Sequence, residues 1–400
     1  MKSAGLFAVV VRSCRWSAGL GLLLGFAAHA EGFRNPPEGG ASMGRVGGNI
    51  ALNDDASAVS RNPANLALMT NAQIQVGANI IHSTVEFTAP LGITDETEDP
   101  WKFLPYAFAS MPLNEKLALG LGVSFPFGQS TVWPKNGAIS ASGAPYFAEL
   151  RVMNVNPTLA AKVGDSLCLA VGVDVYSSDL ETRTFLGPLG DQKVDVSGIG
   201  VGGNAALTWL ITQDQRLALT YRTPVKVNYD GQATVTGLPA SDIETEITFP
   251  DTIGVGYSMQ CTDKLKVEAD AEWTQFSRYD NLTLTAENQP PTVIPQNWKD
   301  AWTLGVGAEY QLCSAAVLRL GYQFIQSPVP DDTLAPTLPD DDRSVVSVGL
   351  GYKQGAHAVD VAFMQSIFRS RTISSPTNPY NGCTYDINSQ IIAASYNFSF

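Results

Sequence analysis

Few residues of this 400-residue chain could do covalent chemistry. Beyond residue 30 it holds two histidines, His82 and His357, and four cysteines, Cys168, Cys261, Cys313 and Cys383. A histidine serves as general base or metal ligand only where a nucleophile or further ligands stand within reach. These two stand far apart in the chain, in different alternating runs. No Gly-x-Ser-x-Gly, His-Glu-x-x-His, phosphate-loop, EF-hand or Cys-x-x-Cys spacing occurs. A lipid-hydrolysing barrel would need serine and histidine on neighbouring strand faces, and neither histidine sits in such a motif. The expectation is no enzyme, no metal and no cofactor. The stretches that stand out are suited to positioning. They are Asn62-Pro63-Ala64 in DDASAVSRNPANLALM, Pro126-Phe127-Gly128 in LALGLGVSFPFGQS, and Arg183 in DLETRTFLG.

The N-terminus sets the compartment. Lys2, Arg12 and Arg15 surround a short apolar core containing GLLLGF, and Ala28-His29-Ala30 puts small residues at −3 and −1. That pattern predicts a secretory signal peptide over residues 1–30, cleaved before Glu31. The apolar core falls short of the ~20 residues a membrane helix needs, and no later run is long enough. The chain carries a formal net charge of −13, and losing residues 1–30 removes three basic residues and no acids. So acidic a chain lacks the basic surface that nucleic-acid binding requires. Hydrophobic residues make up 44% and charged residues only 16%, which is apolar for a secreted protein. No linker or composition shift divides it.

Period-two alternation runs through the rest. Trp302, Leu304, Val306, Ala308 and Tyr310 share one face, opposite Thr303, Gly305, Gly307 and Glu309. Leu265, Val267, Ala269 and Ala271 alternate with Lys266, Glu268, Asp270 and Glu272. Either a sandwich or a membrane barrel has such strands, and the connections decide between them. Fourteen runs are expected, the first at 72–89, the third at 117–127 and the last at 386–400. Every second connection is very short, as at Asn114-Glu115-Lys116 and Gln354-Gly355-Ala356. The others, such as 128–147 and 327–342, are long and rich in Pro, Asn and Asp. Short turns on one side and long loops on the other mark an outer-membrane barrel. Closure then satisfies every strand edge within lipid. The ending SYNFSF alternates as well and finishes in Phe400, as an outer-membrane assembly signal does.

Further stretches carry a resemblance. EGFRNPPEGGASMGRVGG stands at the mature start, followed by RLALTYRTPVKVNYDG, FPDTIGVGYS, EWTQFSRYDNL, NWKDAWTLGVGAEYQL and QSPVPDDTLAPTLPDDDRSVVSVGLGYK. In order and spacing, from residue 32 to 400, they resemble the FadL/TodX/OmpP1 family of outer-membrane transporters for long-chain fatty acids and aromatic hydrocarbons. The resemblance implies an all-β, fourteen-stranded antiparallel transmembrane barrel, residues 72–400, with residues 31–71 as a small, partly helical plug in the lumen. Gly39, Gly40, Gly44, Gly47 and Gly48 suit close packing there. Asn62-Pro63-Ala64 matches the family's plug motif, with Ser60 or Asn62 placed to cap a short helix.

The resemblance also implies passive uptake. Hydrophobic ligands would be captured at outer loops, bound in the lumen and released sideways through a kink in the third strand. Pro126 offers no N–H to a neighbouring strand and Gly128 is permissive, so pairing should fail there. The plainer alternative, that Pro126 ends the strand, stays open. Trp133, Tyr146, Phe147, Leu186, Leu189 and Leu238 are candidates for the capture groove. Arg183 lies near a position where fatty acid members hold the carboxylate, but it is shifted by one residue, which reverses its facing. PPTVIPQ offers no base either, so uncharged hydrocarbons gain credit as ligands. Lys266, Arg222 and Arg319 are lumen-facing candidates that interior acids such as Glu268 or Glu309 could equally neutralise. Cys261 and Cys313 flank consecutive short turns and are the pair placed for a disulfide. Expected partners are a hydrophobic small molecule, outer-membrane lipid and, through Phe400, the barrel assembly machinery. The chain is expected to be monomeric in the Gram-negative outer membrane. A structural or surface-interaction barrel, an adhesin or phage receptor, is the alternative.

Overall fold

A computed structural model describes residues 32–287 and 289–400; the expected signal peptide, residues 1–30, lies outside the described residues. Fourteen strands form the wall. In chain order the first six are β1 Gln73–Thr88, β2 Trp101–Pro112, β3 Leu117–Val132, β4 Phe147–Val163, β5 Leu167–Phe185 and β6 Asp191–Leu210. Three strands, β7 to β9, are broken in two: β7 is Gln215–Arg222 and Val225–Val235, and β8 is Ser241–Phe249 and Thr252–Thr262. β9 comprises Leu265–Thr274 and Asn281–Ala286, and β10 is Ala301–Gln311 after a short Thr292–Pro295 piece. β11 Ala316–Ile325, β12 Arg343–Gln354, β13 His357–Phe368 and β14 Thr384–Ser399 complete the set. All pair antiparallel with their neighbours, and β1 closes the ring on β14 from Gln73↔Ser399 to Thr88↔Thr384.

The alternation sorts as a lipid-facing wall requires. Trp302, Leu304 and Val306 of β10 point outward, about half exposed, while Thr303 between them is buried. On β12, Val346, Val348, Leu350 and Tyr352 point outward while Ser347 points inward and is buried. In a membrane those outward rows meet acyl chains and the inward rows line the lumen.

The N-terminal segment fills that lumen. Helix α1, Gly40–Gly44, packs on β12 and β13, with Met43 and Val46 among Val345, Ala362 and Met364. Helix α2, Ala58–Arg61, and the 3₁₀ helix Pro63–Leu68 place Val59 and Leu66 against Phe108 and Ala160. Close approach explains the glycines on both sides. A Cβ on Gly47 would sit 2.7 Å from the Cα of Gly305, and one on Gly48 would sit 2.8 Å from the Cα of Gly307. No larger side chain fits between backbones at that separation.

Two expectations need correcting. The third strand runs on to Val132, past Pro126, because its far half still pairs with β4. Cys261 and Cys313 are both free and exposed, with no disulfide. β9 lies between their strands, pairing with β8 on one side and β10 on the other. Two strand spacings, about 9.5 Å, exceed the reach of a disulfide between Cα atoms.

Candidate functional site

Strand β2 pairs with β1 over ten residues, from Trp101 to Ser110, but with β3 only from Ala107↔Val123 to Pro112↔Ala118. Above that, Trp101–Tyr106 and Ser124–Val132 have no ladder between them. The break begins at Phe125 and Pro126, which the β3–β4 register skips. Proline cannot donate to a ladder, and the strand bends away. At the top, the Glu98 N–H donates to the Val132 carbonyl at 2.7 Å and bounds the gap.

The N-terminal segment seals the gap from inside. The Asn35 N–H donates to the Pro126 carbonyl at 2.9 Å, and the Gly128 N–H donates to the Phe33 carbonyl at 2.8 Å. The Asn35 amide also donates to the Phe125 carbonyl at 2.8 Å. These bonds satisfy backbone groups that the missing β2 pairing would leave bare in an apolar wall.

Phe33 anchors this segment in an aromatic cage. Its ring stacks on Trp298 at 5.1 Å and meets Phe127, Phe249, Phe276 and Tyr279 edge-on at 5.4–5.9 Å. Such edge contacts suit the ring quadrupoles. The cage is built by strand breaks that the alternation alone did not reveal. β7 breaks at Thr223-Pro224, β8 at Pro250-Asp251, and β9 at the 3₁₀ turn Phe276–Arg278. Each proline break shifts the inward phase by one residue. Buried Ala118, Phe108-facing Gly122 and Ser124 give way to Phe127, Gln129 and Thr131 on β3. Ala218 gives way to Val225 and Val227 on β7, and Phe249 to Gly254 and Ser258 on β8. Phase slips at a proline are the sequence signal that could have located Phe249; Phe33 had none beyond its place in EGFR.

Below the cage lies a chamber of about 70 Å³, shared by Arg34, Arg61, Arg222, Glu272, Pro126 and Phe127 among others. Arg34 pairs with Glu272 and Arg222 with Asp174. Nearer the inner mouth, Arg319 bridges Glu309 at 2.8 Å and Asp360 at 2.6 Å, while Arg45 reaches Glu309 at 2.9 Å. Lys266 lies 3.9 Å from Glu309. The expected lumen bases Lys266, Arg222 and Arg319 thus stand beside carboxylates.

Asn62 is fully buried. Its oxygen accepts the Ala64 N–H at 3.1 Å, capping the 3₁₀ helix that Pro63 starts, and its amide donates to Ile50 O at 2.7 Å and Thr208 Oγ1 at 2.8 Å. Pro63 suits that first position because its missing N–H has no acceptor there in any case.

The loop candidates are scattered. Trp133 is wholly buried, with its indole N–H donating to the Pro336 carbonyl at 2.9 Å, so it lies beneath a loop and lines no open groove. Arg183 points outward, bonded to Glu181 at 2.6 Å and lying over Phe147, and so does not reach the lumen. Tyr146 packs on the buried cluster, Leu186 is half-buried, and Leu189 and Leu238 are over 60% exposed on separate loops. A different outer groove, about 370 Å³, lies among Pro145, Ile294, Leu334, Pro336 and Tyr380.

A closed fourteen-stranded wall, apolar outside and filled by its own N-terminal segment, defines a plugged outer-membrane barrel of Gram-negative type. The chain belongs to the outer membrane protein transport protein family (OMPP1/FadL/TodX), whose sequence model matches residues 21–400. It is 23% identical to a long-chain fatty acid transport protein of Escherichia coli O6:H1, over 82% of this chain and 85% of that one. It is 25% identical to outer membrane protein P1 of Haemophilus influenzae, over 83% and 84% of the two chains. Among solved structures, a Pseudomonas aeruginosa FadL homologue superposes with a TM-score of 0.82 at 20% identity, covering 92% of this chain and 100% of that one. The Ralstonia pickettii toluene transporter TbuX gives 0.72 at 21% identity, covering 90% and 98%. These structural likenesses concern the fold.

Proposed function

We propose that the chain carries hydrophobic small molecules passively across the outer membrane. They are captured at the outer loops, bound in the aromatic cage and released sideways between β2 and β3. One observation carries this reading. The segment that seals the gap, residues 33–35, also fills the cage through Phe33, so a ligand that takes the ring's place frees the gap in the same movement. The ligand's apolar body would replace ring contacts at little cost, because the cage is lined by aromatic rings. The groove at Ile294, Leu334 and Tyr380 is the assigned capture site, in place of Trp133. The relatives' names, a fatty acid transporter and a toluene transporter, support hydrophobic cargo. Residues 32–71 act as the plug, and the C-terminal strand with Phe400 is offered to the assembly machinery.

The test is influx of labelled oleate and labelled toluene into cells carrying or lacking the gene. Faster influx of at least one is expected with the gene present; equal influx of both would remove the transport reading and favour a surface-interaction barrel.

A further inference from the structure

Low on the wall, strands β1 to β5 frame a groove of about 860 Å³ on the outward side. Two rows of cross-strand neighbours line it, Ile74, Ala109 and Leu121 in one, Met111, Leu119 and Leu159 in the other. Phe400 lies at its inner end. A closed wall is convex toward lipid, so a hollow across five strands needs a cause, and the cause is on the lumen side. The inward residues here are small, among them Ser110, Gly120, Ala160 and Gly172. A Cβ on Gly120 would sit 2.6 Å from both Val59 and Leu66 of the plug, so wall and plug meet with no side chain between them. Pro157 of β4 loosens the same stretch. It has no N–H for the Val173 carbonyl, which accepts the Asn156 side-chain amide at 2.8 Å instead.

What fills the hollow follows from its depth. Its surroundings there are acyl chains, and water is absent. A chain in a concave wall touches protein on more sides than one on a convex wall, and dispersion contacts sum. Apolarity alone gives no preference for this spot, since lipid tails are as apolar as leucine. A preference needs an anchor for the head group, and one stands at the foot of β3. Lys116 lies at the inner rim, three residues from Leu119, about 10 Å along the strand. It is exposed, and among the described residues no carboxylate pairs with its ammonium. Glu115, also exposed, precedes it. An ammonium next to a carboxylate complements a head group that carries a phosphate and an amine.

We infer that this groove is a lipid site, seating an acyl chain of one inner-leaflet aminophospholipid, with its phosphate on Lys116 and its amine on Glu115. The site lies directly beneath the gap, which begins above the Ala107↔Val123 pair. A ligand released between β2 and β3 therefore meets a seated lipid before it meets the free bilayer. The lipid site itself does not depend on the transport reading.

The experiment is native mass spectrometry of the purified full barrel in non-ionic detergent. It is titrated with dioleoyl phosphatidylethanolamine or with dioleoylglycerol, which has the same chains and no phosphate or amine. The wild type should bind one phosphatidylethanolamine, roughly tenfold or more tighter than dioleoylglycerol. Lys116→Gln, in an exposed turn, should erase that preference. Ala109→Trp, which fills the groove from the lipid side, should weaken both probes, while Leu350→Trp on the far wall should change neither. Equal wild-type affinities, a preference that survives Lys116→Gln, or wild-type binding by Ala109→Trp would each overturn the inference. Displacement of the bound lipid by equimolar oleate would overturn it too, because the groove would then belong to the released ligand. The influx test of transport is independent of all these results.

Discussion

Glu268 is 1% exposed on the inner face of β9, where its carboxylate accepts the backbone N–H groups of Ile50, Ala51 and Leu52. Asp270, two residues along the same face, accepts that of Asn49 at 2.6 Å. Four consecutive plug N–H groups thus end on two wall carboxylates. Glu268→Ala removes the acceptor for three of them, and each buried donor left unsatisfied costs about 1–3 kcal/mol. The variant should lose hydrogen-exchange protection at residues 50–52 while the wall strands keep theirs. Unchanged protection there would show that apolar packing alone holds the plug. The alternation in LKVEADAE already turns Glu268 toward the lumen. The partner was not legible, because it lies 216–218 residues away and hydrogen bonds through backbone atoms that carry no sequence identity.

Among elements, the loop 327–342 folds over Trp133 as a lid on the buried cluster. Its tip buries Leu334 and Leu338 in the same cluster as Trp133 and Phe33. Its base is gripped by Arg371, which donates to Asp331 Oδ1, Asp340 O and Val329 O, the last two at 2.7 Å. The Asp340 carboxylate accepts the Ser327 hydroxyl at 2.7 Å and the Gly32 N–H at 3.3 Å, joining this lid to the gap-sealing segment. Burial pushes Asp340 up to about 7, against the opposing pull of Ser327, Arg343, Gly32 N–H and Arg371. A carboxyl whose folded pKa is raised binds its proton more tightly when the lid is seated. Seating is therefore strongest below the ordinary carboxylate range near 3.9 and weakens as pH rises toward about 7. The hydrogen-exchange protection factor over 327–342, each rate divided by the intrinsic amide rate at the same pH, should be higher at pH 5 than at pH 8, and Asp340→Asn should remove that difference in protection; a wild-type difference that persists in the variant would assign it elsewhere. The strands themselves were legible, since lipid and lumen impose opposite polarity on alternate residues. Their breaks were not, except at Pro126. Pro224 and Pro250 lie inside alternation that resumes one residue out of phase, and a strand traced through them looks continuous.

The proposed transport route implies two seals in the whole molecule, and they can be tested separately. One is axial: residues 40–68, held by glycine contacts, by Asn62 and by Glu268, block the lumen. The other is lateral: residues 33–35 close the wall between β2 and β3. The lateral seal depends on Phe33 more than on its backbone bonds. Truncating a buried phenylalanine costs about 3–5 kcal/mol, whereas each backbone hydrogen bond contributes about 0.5–1.5 kcal/mol net. In Phe33→Ala the bonds to Pro126 and Gly128, the Asn35 amide bond to Phe125 and the Arg34–Glu272 pair remain, without the ring to anchor them, and the gap is expected to open more readily without ligand. The axial contacts lie elsewhere on the plug and are untouched. Phe33→Ala should therefore lose amide protection at Gly128 and admit hydrophobic probes faster, while ion conductance in planar bilayers stays at the wild-type level. Glu268→Ala should do the reverse, raising conductance before it changes hydrophobic influx. If both variants raise conductance and influx together, the plug moves as one body and the lateral route is not independent of the axial one.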